Sequence, residues 1–132
     1  MKAEKLILEI AENSYELISD QSSEICKKVI KKLPLAGDVV NVQGEIFFTV
    51  NIDISYPISD AREIFDIGDV VYWKSPDGSM AAIALFYGNT VYIDGKKPRA
   101  YSPCIKIASL KNIKPEEYTD IENNVYIRLY MK

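Results

Sequence analysis

A chain of 132 residues without a single histidine has to find any chemistry it performs among carboxylates, lysines, tyrosines, three arginines and two cysteines. Ser-His-Asp and Cys-His nucleophilic sites, His-ligated zinc and imidazole acid–base catalysis all fall away. Cys26 and Cys104 have no Cys-x-x-Cys spacing and are too few for a tetrahedral structural zinc site. Each is expected to be a buried thiol, with no support for a disulfide. Neither a GxGxxG nor a GxxxxGK[ST] loop is present to cradle a dinucleotide or a triphosphate. What survives is carboxylate, lysine or tyrosine chemistry, or none; no catalytic residue, metal or cofactor is singled out, and the more informative candidates are residues of recognition.

The strongest candidates are aromatic. Trp73, the one tryptophan, ends the stretch GDVVYW (68–73). On a strand it shares a face with Val71, and Tyr72 shares the other with Val70. Periodicity alone leaves both outcomes open. Trp73 packs as core beneath a loop or the helix, or it floors an outer groove with Phe86 or Tyr87 of a neighbouring strand. Arg99, with Tyr101 beside it, offers a fork of donors to a ligand carboxylate or carbonyl. The plainer expectation pairs Arg99 with Glu45 to pin a loop. Tyr126, Arg128 and Tyr130 alternate with an apolar set on the last strand, in residue types enriched where proteins meet, and are the candidate self-association face.

Charge limits the partners. With 16 basic and 19 acidic residues the net charge is −3, the wrong sign for a protein that holds phosphate backbones, despite the local Lys96-Lys97-Pro98-Arg99 run. Lys27, Lys28, Lys31 and Lys32 read as the solvated face of a helix. No apolar run approaches the roughly 20 residues of a membrane helix, and Glu4 and Glu9 interrupt the start. The expected compartment is the cytoplasm. Composition, 48% hydrophobic and 27% charged, is that of a globular domain, and the length allows one.

The elements that must position these residues are mostly strands. Leu6, Leu8 and Ile10 alternate, and Tyr15 to Ser19 returns as a hairpin. Ile25, Val29 and Leu33 recur every four residues as a helical stripe, capped by Asp20 or Ser22 and closed by Pro34. Val40, Val42, Gly44, Ile46, Phe48, Val50, Ile52 and Ile54 share one phase of a long strand. Gly44 on its inward side is expected to let that strand bend and the sheet close. Ser59 to Ile64 suggests one helical turn. Val70–Trp73 and Met80–Tyr87 form a hairpin through the turn-rich Lys74–Gly78, and both faces of the second strand are apolar, which predicts a central position. Val91–Ile93, Ile105–Ile107 and Val125–Met131 complete the set, with a turn at Asp94-Gly95. One mainly β domain results, with closure removing the exposed edges.

Four segments in this order, GEIFF (44–48), GDVVYW (68–73), ALFYGNT (84–90) and PRAYSP (98–103), resemble the cyclophilin-like family of small bacterial and archaeal proteins. The opening hairpin and helix ending in Leu33-Pro34 fit the same pattern. Phe47 stands where that family usually has tyrosine, and Tyr87 where it has a second phenylalanine. The resemblance implies a closed cyclophilin-like β-barrel of about eight strands with one α-helix capping an end. It does not imply isomerase activity: true cyclophilins use an arginine in a Phe-His-Arg strand segment, and VVNVQGEIFF (39–48) has neither arginine nor histidine. The expected function is a non-catalytic module binding a small molecule or extended peptide near Trp73, Phe86, Tyr87, Arg99 and Tyr101. The alternatives are a structural or regulatory protein acting through self-association and a divergent prolyl isomerase using Arg62 or Arg99.

Overall fold

The computed structural model of the chain describes residues 4–90 and 97–132. The predicted strand at 91–93 and its following turn lie outside the described residues. Among the described residues there are ten strands: β1 (Lys5–Ile10), β2 (Asn13–Ser19), β3 (Leu35–Asp38), β4 (Val40–Val42), β5 (Glu45–Thr49), β6 (Arg62–Ile64), β7 (Asp69–Lys74), β8 (Ala81–Phe86), β9 (Arg99–Leu110) and β10 (Tyr126–Met131). They are joined by α1 (Glu24–Ile30), the single-turn α2 (Glu116–Thr119) and a 3-10 turn at Ile58–Asp60. Every pairing is antiparallel.

Hydrogen-bonded neighbours run β3-β10-β1-β2-β9-β7-β8-β5-β4, with β6 attached to β9 off this path. The ends of the path, β3 and β4, are consecutive in the chain and joined through Val39 alone, so the sheet curls until its ends lie side by side. The expected closed barrel is corrected here, because no ladder joins β3 to β4 or β5 among the described residues. A side chain fills the seam instead. At Gly37 an added Cβ would meet Phe48 Cδ2 at 3.3 Å and the Thr49 carbonyl at 3.2 Å. Val39 spends its backbone groups elsewhere, donating to Val125 O and accepting from Asn124 N.

Gly44 does not bend a long strand. Val40 pairs with Phe47, Asn41 with Ile46 and Val42 with Glu45, so β4 and β5 form a hairpin whose two turn residues are Gln43 and Gly44. Gly44 has φ +79, and a Cβ there would lie 2.2 Å from the Asn89 carbonyl oxygen. The glycine is needed for the turn and for the close passage of the Gly88-Asn89 backbone. Nor does the strand extend to Ile54, since 50–57 carry no regular structure; the Ile54 N–H instead donates to the Tyr72 hydroxyl at 3.1 Å.

Smaller corrections concern ends. Ser23 caps α1, accepting from the Cys26 N–H at 3.0 Å, while Asp20 binds Ser22 within the preceding turn. The turn expected at 59–64 is shared between the 3-10 turn and β6. β9 starts at Arg99, not near Ile105; its first half leaves β7 and pairs with β6, with a shifted register that tolerates Pro103.

Two apolar clusters result. The larger one fills the concave side of the sheet with Leu6, Leu8, Ile10, Leu17, Ile46, Phe48, Val70, Tyr72, Ile83, Leu85 and Leu129, and α1 adds Ile25, Cys26 and Val29. The smaller one lies on the other face of β5, β8 and β7 and contains Phe65, Val71, Ala84, Phe86, Ala100 and Cys104. Its cover is β6 and the first half of β9, which fold over that face.

Candidate functional site

The covered outer face is not filled. Register across the three strands sets small side chains in the middle: Phe47 pairs with Ala84 and Ala84 with Val71, while Thr49 pairs with Ala82 and Ala82 with Trp73. Partners in antiparallel strands share a face, so two alanines lie between walls of larger residues. The space left above them is a slot of about 270 Å³. Phe47, Val71 and Trp73 wall it, Ala100 and Cys104 close it from β9, and the half-exposed Met80 and more exposed Tyr101 stand at its mouth.

Trp73 is therefore neither barrel core nor bare surface. Tyr72 and Val70 take the inner face, which sends Trp73 to the outer one with Val71. Its indole N–H donates to Ser102 Oγ at 2.5 Å, and its ring meets Tyr101 edge-on with centroids 6.3 Å apart. The bond to Ser102 of β9 orients the half-buried indole against the slot, with Tyr101 of the same strand beside it.

At the opposite end stand Phe86, stacked on Phe65 at 5.3 Å, and its cross-strand partner Glu45. Glu45 is the one acidic group lining the slot. No hydrogen bond or ion pair engages its carboxyl among the described residues. Burial pushes that carboxyl up to about 7, because apolar walls penalise its ionised form. The neighbouring Cys104 thiol is held protonated far above its ordinary range, by burial first and by Glu45 second, which makes it an inert wall and not a nucleophile.

Of the residues singled out from sequence, Trp73, Phe86 and Tyr101 meet at this slot. Tyr87 does not: it follows Phe86 on the strand, so it faces the concave side, where its hydroxyl donates to Asn41 Oδ1 at 2.7 Å and its ring stacks on Tyr118. It borders a second, wider hollow of about 640 Å³ lined by Asn41, Gln43, Asn89 and Asn123. Asn41 is already occupied there, donating to the carbonyls of Tyr118 and Ile121 at 2.8 Å each. Arg99 is also outside the slot, and the expected Glu45–Arg99 pair is corrected: Arg99 Nη2 lies 3.3 Å from Glu63 Oε2.

Tyr126, Arg128 and Tyr130 do share the outward face of β10, backed by buried Ile127 and Leu129. The Arg128 guanidinium lies 4.1 Å over the Tyr130 ring and its Nε is 3.3 Å from Glu9 Oε1. Phe47, Ala82 and Ala84 were not singled out from sequence. The alternation Met80, Ala82, Ala84, Phe86 carried the signal, since two alanines in an apolar stripe mark where space is left.

All four segments that carry the family resemblance supply the slot: Glu45 and Phe47, Val71 and Trp73, Ala84 and Phe86, Ala100 and Tyr101. A family model described as cyclophilin-like matches residues 3–129. The chain belongs to the cyclophilin-like family. No curated protein matches it. Among solved structures it is similar to the solution structure of the hypothetical protein AF2241 from Archaeoglobus fulgidus. The identity is 20%, the TM-score is 0.76, and the match covers 98% of this chain and 95% of that one. At that identity the likeness speaks for the cyclophilin-like fold alone. Among the described residues no cluster of three metal-ligating side chains occurs and no helix is long and apolar enough to cross a membrane.

Proposed function

We propose that this member of the cyclophilin-like family is a non-catalytic binding module whose ligand site is the slot between Phe47 and Trp73. The observation that carries the reading is the unfilled space over Ala82 and Ala84 in a face otherwise packed as core. Natural interiors are close-packed, so an apolar space of this size bounded by fixed aromatic rings is what a binding pocket looks like. An apolar cavity of about 150 Å³ already takes a benzene molecule. The slot suits one small aromatic or branched apolar molecule, or one such side chain of a peptide.

The arginines support binding over isomerisation. Arg62 lies 5.0 Å over the Phe65 ring and 4.0 Å from Asp69, and Arg99 is held by Glu63; neither lines the slot. A protease-coupled proline isomerisation assay at high protein concentration is expected to give no rate above background.

Occlusion tests the site. Ala84→Leu places a larger side chain into open space and is expected to keep the fold, with stability within about 1 kcal/mol of the parent. Titration with indole, toluene and phenol, followed by Trp73 emission and by the melting temperature, is expected to saturate in the parent and not in the variant. Saturation that survives Ala84→Leu, or no response in either protein at millimolar probe, overturns the reading.

A further inference from the structure

We infer that the slot selects apolar molecules carrying one protonated amine, with Glu45 receiving the ammonium and the aromatic walls the hydrocarbon body. The inference rests on the slot being the ligand site and adds the chemical class of the occupant. Its basis is the mismatch between Glu45 and its surroundings. The partly buried carboxyl group of Glu45 lines the slot with Phe47, Phe86, Ala84 and Cys104, and no hydrogen bond or ion pair engages it among the described residues. Carboxylates withdrawn from water into apolar surroundings are ordinarily matched by a cation or by several donors, and no described residue supplies that match here.

Among the described residues, the neighbouring arginines are engaged elsewhere. Arg62 is shared between the Phe65 ring and Asp69, and Arg99 is held by Glu63. The titratable groups whose electrostatics include Glu45 are Cys104 on β9 and Tyr87 just after β8, while Tyr101 lines the slot at its Trp73 end. Burial keeps both Cys104 and Tyr87 uncharged at neutral pH, with Glu45 adding to the effect. Among the described residues no side-chain cation engages Glu45, and a ligand ammonium would supply that partner. Phe47, Phe86 and Trp73 reinforce the choice, since ring faces attract a desolvated cation that neutral probes do not supply.

The direction of pH dependence follows. An ammonium with a pKa near 10 stays charged through neutrality, whereas Glu45 gains its charge as pH rises through about 7. Amine binding is therefore expected to strengthen between pH 5.5 and pH 8.5, and binding of an uncharged isostere is not.

The test compares 2-phenylethylamine with 2-phenylethanol, two probes of nearly equal shape, by Trp73 emission and by methyl chemical shifts of Ala82 and Ala84. Glu45→Gln and Glu45→Asp accompany the parent protein, each checked for fold by circular dichroism. The expected result is a preference for the amine of tenfold or more at pH 8.5. That preference should fall to about unity at pH 5.5 and in Glu45→Gln, and should survive in part in Glu45→Asp. Equal affinity for both probes at pH 8.5 overturns the inference and leaves the slot standing as an apolar site. An amine preference unchanged by Glu45→Gln assigns the cation to another group and overturns it as well. Failure of both probes to move either signal overturns the slot itself.

Discussion

Glu45 is the carboxyl group that lines the slot, and its effect on stability has a definite sign. Burial raises it from 4.5 to about 7. Between those values the folded state holds a proton that the unfolded chain has released, so stability falls as pH rises through this window. The penalty is absent below the unfolded value and complete above the folded one. Glu45→Gln removes it. The variant and parent are expected to melt together at pH 4.5, whereas at pH 8.5 the variant should be higher by about 4 °C, the equivalent of roughly 1 kcal/mol in a domain of this size. Thermal circular dichroism at the two pH values checks both halves. Ser102→Ala tests the other end of the slot by stranding the Trp73 indole N–H, at an expected cost of about 1 kcal/mol and with a shift of Trp73 emission.

At the scale of elements the decisive unit is the β4–β5 hairpin. Its alternation reads as one strand from Val40 to Ile54, because a two-residue turn keeps the period intact while reversing which parity faces inward. Val40 and Val42 consequently lie on the face of Glu45 and Phe47, opposite Ile46 and Phe48. Hydrophobic pattern marked the residues of this hairpin as strand but could not register a reversal hidden in a seemingly unbroken run. Gly44 was legible as a special position, though for the wrong purpose: its left-handed backbone and the carbonyl 2.2 Å from its missing Cβ serve a turn. Gly44→Ala is expected to destabilise by roughly 3 kcal/mol, measured by urea unfolding, since neither the strain nor the backbone clash has a cheap escape. The first half of β9 was harder to foresee. A proline-containing segment that leaves one strand to pair with another looks like loop in sequence, yet it is the cover that makes the slot a pocket.

The whole molecule is a curled antiparallel sheet with its main core on the concave side and its candidate site under a flap on the other. β7 and β8, buried along nearly their whole length, sit between β9 and β5, and the ladder ends at β3 and β4. Hydrogen exchange is expected to be slowest at Val70–Tyr72 and Ala82–Leu85 and faster by two or more orders of magnitude at β3 and β4, where one side of the ladder is unpaired. Uniform protection around the sheet would mean that the seam at Gly37 is tighter than a side-chain contact. The residue types and their alternation determined by themselves that this chain is mainly β, that any chemistry it performs proceeds without histidine, and which four segments belong together. They did so because burial periodicity and side-chain inventory are local properties. Which face Trp73 takes, which acid Arg99 meets and where space is left unfilled were decided only in three dimensions. Each of these depends on the register between strands distant in sequence, and a shift of one residue there exchanges the two faces of the sheet.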